Sequence, residues 1–173
     1  MKDSVMPLSM YQASAPVFVA MLNNLAAILE KAEAYAKERK IDESVLLNWR
    51  FAPDMFPMTR QVQIATDFAK GTTARLAGVD VPKYADDEAS FAALRQRIAK
   101  TLTFVEAFRP ADIDGSEGRD ITLTAGSREL NFKGQTYLLR FALPNFYFHV
   151  TTAYDLLRAC GVGIGKMDYI GAI

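Results

Sequence analysis

The chain has 173 residues, with 20 basic and 20 acidic side chains, one histidine and a formal net charge of +0. At 50% hydrophobic and 23% charged, it is too apolar to be disordered and long enough for one domain with a sizeable core. The balanced charge, with no basic stripe, excludes the electrostatic footprint of a nucleic-acid binder, and a single cysteine, Cys160, excludes an internal disulfide.

A lone cysteine suits a reducing cytoplasm. The segment from Met1 to Met10 carries only Lys2 and no long apolar core, so no secretory signal is expected. No uninterrupted apolar run approaches the roughly 20 residues of a membrane span. The expectation is a single cytoplasmic domain over 1–173 with no nucleic-acid or membrane partner.

Ser9 to about Lys40 reads as one long helix. Tyr11, Ala15, Phe18, Leu22, Leu25 and Leu29 recur at spacings of three and four and give it one apolar face. Pro16 marks either a kink or the start of regular helix. Ile41 to Asn48 is a short helix or turn. Trp49 to Pro57 is a loop rich in apolar side chains, expected to be packed down on the domain. A second long helix runs from Pro57 or Met58 to Leu76. Gly78 to Tyr84 connects it to a third, which Asp86 or Asp87 can cap. The third carries the stripe Phe91, Leu94, Ile98, Leu102, Val105 and Phe108.

Ile121 to Thr124 and Leu130 to Phe132 alternate around Ala125-Gly126-Ser127, the pattern of a short β-hairpin with Gly126 in a left-handed turn position. The last long helix starts after Gly134 and runs to about Cys160, with Gly161 placed to end it. Pro144 lies inside this helix, where it removes one backbone bond and frees a carbonyl one turn earlier, that of Arg140. The tail, Gly161 to Ile173, is expected to be irregular. The fold class is therefore all-α: an antiparallel four-helix bundle with a short β-hairpin inserted before the last helix.

A helix turns about 100° per residue. In the last helix this puts Leu138, Ala142, Asn145, His149, Ala153, Leu156 and Cys160 on one stripe, opposite Arg140, Thr151 and Arg158. His149 and Asn145 thus point into the bundle, one turn apart. The arc of the second helix holds Met58, Val62, Ile64, Ala65, Phe68 and Leu76, with Gln61 inside it. Tyr11 lies on the core face of the first. Buried polar groups need partners, and Tyr11, Gln61, Asn145 and His149 can satisfy one another if the helices align in depth. Three readings stand: a network that fixes helix register, the polar floor of a ligand pocket, and a metal site. Metal sites favour several imidazole, thiolate or carboxylate ligands, and there is one histidine.

Other signals are weaker. Gly161-Val-Gly163-Ile-Gly165-Lys166 follows a helix and lacks the phosphate-loop spacing. Cys160 stands about 16 Å from His149 along one helix, too far for a thiolate–imidazole pair, and reads as a buried structural residue. Ser116 has no histidine to activate it. Asp54, between prolines, is a turn or capping residue that can serve as an acid or base if its loop, with Trp49, folds over the pocket.

The run Leu143-Pro-Asn-Phe-Tyr-Phe-His149-Val-Thr-Thr-Ala-Tyr-Asp155-Leu-Leu-Arg158, with Ala52 to Gln63 and Ser9 to Ser14, resembles an uncharacterised domain-of-unknown-function family. That family is usually placed in the DinB-like group of four-helix-bundle metalloenzymes. The resemblance implies a homodimer and a divalent metal held by a histidine on the second helix and a His-x-x-x-His pair on a later one. His149 matches the second of that pair. Asn145 stands in the first position, and Gln61 or Gln63 where the second-helix ligand belongs. Amide oxygens are weak ligands for zinc or nickel, so no metal or other cofactor is expected.

The leading functional expectation is a small-ligand binding module with an interhelical pocket formed from His149, Asn145, Gln61, Tyr11, Asp54 and Trp49, and a degraded metal site. Its alternatives are a metal- or thiol-cofactor-dependent transferase and an oligomeric assembly protein, in each case as a homo-oligomer.

Overall fold

The computed structural model describes residues 8–172; the first seven residues of the segment read as lacking a leader lie outside that range. It is mostly helical with one small antiparallel sheet. The elements are α1 (Ala15–Arg39), α2 (Glu43–Leu47), α3 (Met58–Ala77), α4 (Phe91–Glu106), α5 (Pro110–Ile113), β1 (Asp120–Ala125), β2 (Arg128–Lys133), α6 (Gly134–Tyr137), a π-helical turn (Leu138–Ala142), α7 (Leu143–Ala159) and α8 (Lys166–Ile170). α3 packs along α7 and α4, and α1 along α4 and α7.

α1 begins at Ala15 with Pro16 in its first turn, where a missing N–H costs nothing. The helix therefore does not start at Ser9. Residues 10–13 ahead of it form turns, closed by the Ser14 hydroxyl on the Met10 carbonyl at 2.6 Å. Its buried face holds Phe18, Met21, Leu22, Leu25, Ile28, Leu29, Ala32 and Ala36. By length and mean composition α1 could cross a membrane, although Asn23, Asn24 and Glu30 interrupt its apolar run. Its apolarity is explained by this face, which is buried against α4, α7 and α8.

The Trp49–Pro57 loop is not packed down as expected. Trp49, Phe51 and Phe56 are about half exposed. Backbone bonds close it instead, with Met58 N–H on the Trp49 carbonyl at 3.0 Å. α4 is capped by Ser90, whose hydroxyl accepts from Ala93 N–H at 3.0 Å, and not by Asp86 or Asp87. Asp86 is drawn away by Arg60 at 2.5 Å and Arg97 at 3.1 Å.

Arg97 ties the extended connector to the helices. Its side chain is almost fully buried. It donates to Thr66 Oγ1 (2.7 Å), the Ala85 carbonyl (2.7 Å), Asp67 (2.8 Å) and Glu88 (3.0 Å). Burial opposes the guanidinium charge. The hydrogen bond to Glu88 and the charges of Asp67, Glu88 and Asp86 outweigh that cost and hold its pKa above the ordinary value.

The hairpin is as expected: β1 pairs with β2 from Asp120↔Lys133 to Ala125↔Arg128, and Gly126 has φ +62°. Beyond it the last long helix is not continuous α. Leu143 N–H bonds the Leu138 carbonyl, a π-type bond five residues back. Pro144 then falls in the first turn of α7. The widened turn receives a residue that cannot donate, in place of the simple kink expected from Pro144. The tail is also more ordered than expected. Val162 and Ile164 are buried, α8 packs on α1, and the Asn24 amide donates to the Tyr169 and Ile170 carbonyls at 3.0 and 2.9 Å.

Candidate functional site

α3 and α7 face each other along their length, and at one level each contributes a polar side chain to the interface. His149 Nδ1 and Gln61 Oε1 are 2.7 Å apart. Gln61 Nε2 donates to the Phe56 carbonyl at 3.0 Å. A carbonyl only accepts, so Oε1 is the end of the amide that meets the ring, and His149 carries its proton on Nδ1. The imidazole is 8% exposed, stacked on Phe68 (6.0 Å between centroids) and edge-on to Phe148 (5.2 Å). Its Nε2 has no hydrogen-bond partner among the described residues and is not fully enclosed. The ring thus offers one open lone pair from a buried setting.

Burial, and secondarily the positive charge of Arg60, push the His149 pKa down to about 4. At neutral pH it is a weak base and a neutral nitrogen donor. Arg60 is itself held by Asp86 and by the Gln63 amide oxygen at 3.2 Å.

The structure brings together two of the four polar residues expected to form a network. Asn145 turns back along its own helix, donating from Nδ2 to the Phe141 carbonyl at 2.7 Å, a local bond that needs no helix alignment. Tyr11 lies in the turn before α1, where its backbone N–H bonds Asp114 at 2.8 Å, so it is not on a helical core face. Trp49 and Asp54 are exposed in their loop. Neither makes a hydrogen bond, ion pair or ring contact with His149 or Gln61 among the described residues; the loop reaches the pair through the Phe56 backbone. Of the two glutamines offered as second-helix counterparts, Gln61 faces His149, while Gln63 donates to Glu88 at 2.8 Å.

The cation-binding capacity of this arrangement is poor. Among the described residues no group of three or more His, Cys, Asp or Glu side chains could hold a metal. One imidazole with two amides, both already committed, does not fit a zinc or nickel site. Cys160 is half-buried rather than fully buried, and burial pushes its thiol pKa up, away from thiolate chemistry. Ser116 is buried with an unpartnered hydroxyl.

Phe68 and Phe148 were not singled out as site residues, although both rings frame the imidazole. Phe68 was read only as core, and Phe148 sits next to His149 on the outward side of the stripe. Phe68 also borders a cavity of about 200 Å³ between α3, the hairpin and the π turn. His149, Asn145 and Gln61 are not in that cavity's lining.

The chain matches the family described as "Domain of unknown function (DUF1993)" over residues 10–170. It is also similar to a DinB family member protein from Shewanella denitrificans, known from a crystal structure. The two share 45% sequence identity with a TM-score of 0.84, and the match covers 94% of this chain and 92% of that chain. No curated protein matches.

Proposed function

The chain belongs to the DUF1993 family of domains of unknown function and has a DinB-like fold, and on that premise we propose that it is a small-ligand binding module whose site is centred on His149. The observation that carries this is the His149–Gln61 pair at 2.7 Å. The amide fixes the tautomer and leaves Nε2, which has no partner among the described residues, as the ring's acceptor. A neutral, oriented acceptor flanked by Phe68 and Phe148 suits an aromatic or apolar ligand that carries one hydrogen-bond donor.

In this reading the site descends from a metal centre. Gln61 and Asn145 stand where imidazoles would bind, and the surviving histidine binds a ligand directly. The packing of α1 on α4 and α3 on α7 supports the finer description of the fold as an antiparallel four-helix bundle. We also place the protein in the cytoplasm, on the strength of its lone cysteine, and read it as a homodimer. Leu139 and Phe148, about half exposed on one helical run, supply apolar surface for that contact; sedimentation as a monomer at high concentration would remove it.

A ligand-observed NMR screen of donor-bearing aromatic compounds tests the binding reading. Hits lost in His149→Phe, with the melting temperature kept, are the expected result. No hits, or hits indifferent to His149, would leave only a register-fixing network.

A further inference from the structure

We propose a second binding site, for a small apolar monocarboxylate, in the cavity bordered by Phe68, Phe141 and Arg75. It stands apart from the His149 reading, because none of His149, Asn145 and Gln61 lines that cavity.

Three observations carry it. The cavity is an open cleft of about 200 Å³, lined by Phe68, Phe141, Tyr137 and Leu123, with Arg75 and Thr124 among its polar residues. About 150 Å³ of apolar cavity is enough to hold a benzene ring, so one ring with a carboxylate fits. Arg75 is the second observation. Its Nη1 donates to the buried Tyr137 hydroxyl at 3.1 Å, and its guanidinium lies 6.0 Å from that ring. Among the described residues no carboxylate pairs with it. Asp67 also lines the cavity, but it is engaged by Arg97 and Lys70 at 2.8 and 2.9 Å and lies two helical turns, about 12 Å, along α3. A guanidinium without a counter-ion beside an apolar cavity is a ready partner for a carboxylate.

The third is Gly71. Glycine inside a helix costs about 1 kcal/mol against alanine, and α3 carries one at a buried position. A Cβ there would stand 2.6 Å from Arg75 Nη1. The missing side chain is therefore the seat on which the guanidinium rests, held toward Tyr137, whose hydroxyl also meets Thr72 at 3.3 Å. The seat, the tyrosine hydroxyl and the cavity aim one positive charge at one apolar space. In the bound state the carboxylate takes the free Arg75 N–H groups and the ring packs against Phe141 and Leu123, beside Phe68.

The test is a titration of isotope-labelled protein with benzoate, followed by NMR. Saturable shifts at Leu123, Thr124, Tyr137 and Phe141 are expected. Benzamide, the neutral isostere, and the variant Arg75→Met should each bind about tenfold more weakly or worse, the worth of one charged hydrogen-bonded pair. Absence of saturation, equal affinity for benzamide, or shifts centred on His149 would overturn the proposal. If Arg75→Met fails to fold, Leu123→Trp fills the cavity while keeping the Arg75–Tyr137 contact. Binding that survives Leu123→Trp overturns it as well.

Discussion

The backbone carbonyl of Phe56 decides which nitrogen of His149 carries the proton. It takes the Gln61 Nε2–H at 3.0 Å, which turns Oε1 toward the ring at 2.7 Å and calls for an N–H on Nδ1. The loop from Trp49 to Pro57 thus acts on α7 through a single amide.

That chain of bonds makes Gln61→Glu a direct probe. A carboxylate in place of the amide favours the charged imidazole, and opposite charges at this range shift a pKa by about 1–3 units. The His149 pKa, about 4 in the native protein, should rise accordingly in an NMR titration. A midpoint that stays put would mean that residue 61 does not face the ring.

Stability should depend on pH through the same residue. Folded His149 stays neutral down to about 4, whereas the unfolded chain takes a proton near 6.5. The unfolded state therefore binds more protons between these values, so the contribution is complete above about pH 6.5 and is lost as pH falls toward 4. The full effect is about 3 kcal/mol. Urea unfolding at a series of pH values should show this slope, and His149→Phe should flatten it. Equal slopes in the two proteins would count against burial of a neutral ring.

Rebuilding three imidazoles should create a metal site. Gln61→His with Asn145→His sets a His-x-x-x-His pair on α7 against a histidine on α3. Zinc at 100 times its Kd should then stabilise the variant by about 2.7 kcal/mol, seen as a thermal shift reversed by a chelator. The native protein should show none. A native zinc shift of the same size would contradict the reading of a degraded site.

Arg97→Met should cost about 1–3 kcal/mol in chemical denaturation, because it leaves Glu88 with only the Gln63 amide and Asp67 with only Lys70. A loss below about 0.5 kcal/mol, the range of ordinary surface changes, would show the network to be ornamental.

The face of each helix was legible because it follows from 100° per residue. His149, Ala153 and Leu156 are buried, and Arg140, Thr151 and Arg158 exposed, as that arithmetic requires. The depth at which α3 meets α7 was not. It depends on where the Phe56 carbonyl lies and on the π turn, neither of which leaves a periodic trace. Asn145 was misjudged because a bond to the Phe141 carbonyl, four residues away, forms without any tertiary alignment. Tyr11 was misjudged because the apolar spacing ran on through Pro16, ahead of the true helix start. Arg97 left a faint signal: a charged residue beside Leu94 and Ile98 with Thr101 one turn on, all buried except for its reach to acidic partners.

The π turn from Leu138 to Ala142 acts as a phase shifter. It spends a surplus residue between the hairpin, which is anchored on α6, and the imidazole on α7. A chain one residue shorter here would run on as ordinary α-helix. Either His149 would swing about 100° off Gln61, or the hairpin would be carried around the helix axis by the same angle. The pairing of one histidine with one glutamine thus depends on a residue count made two turns away.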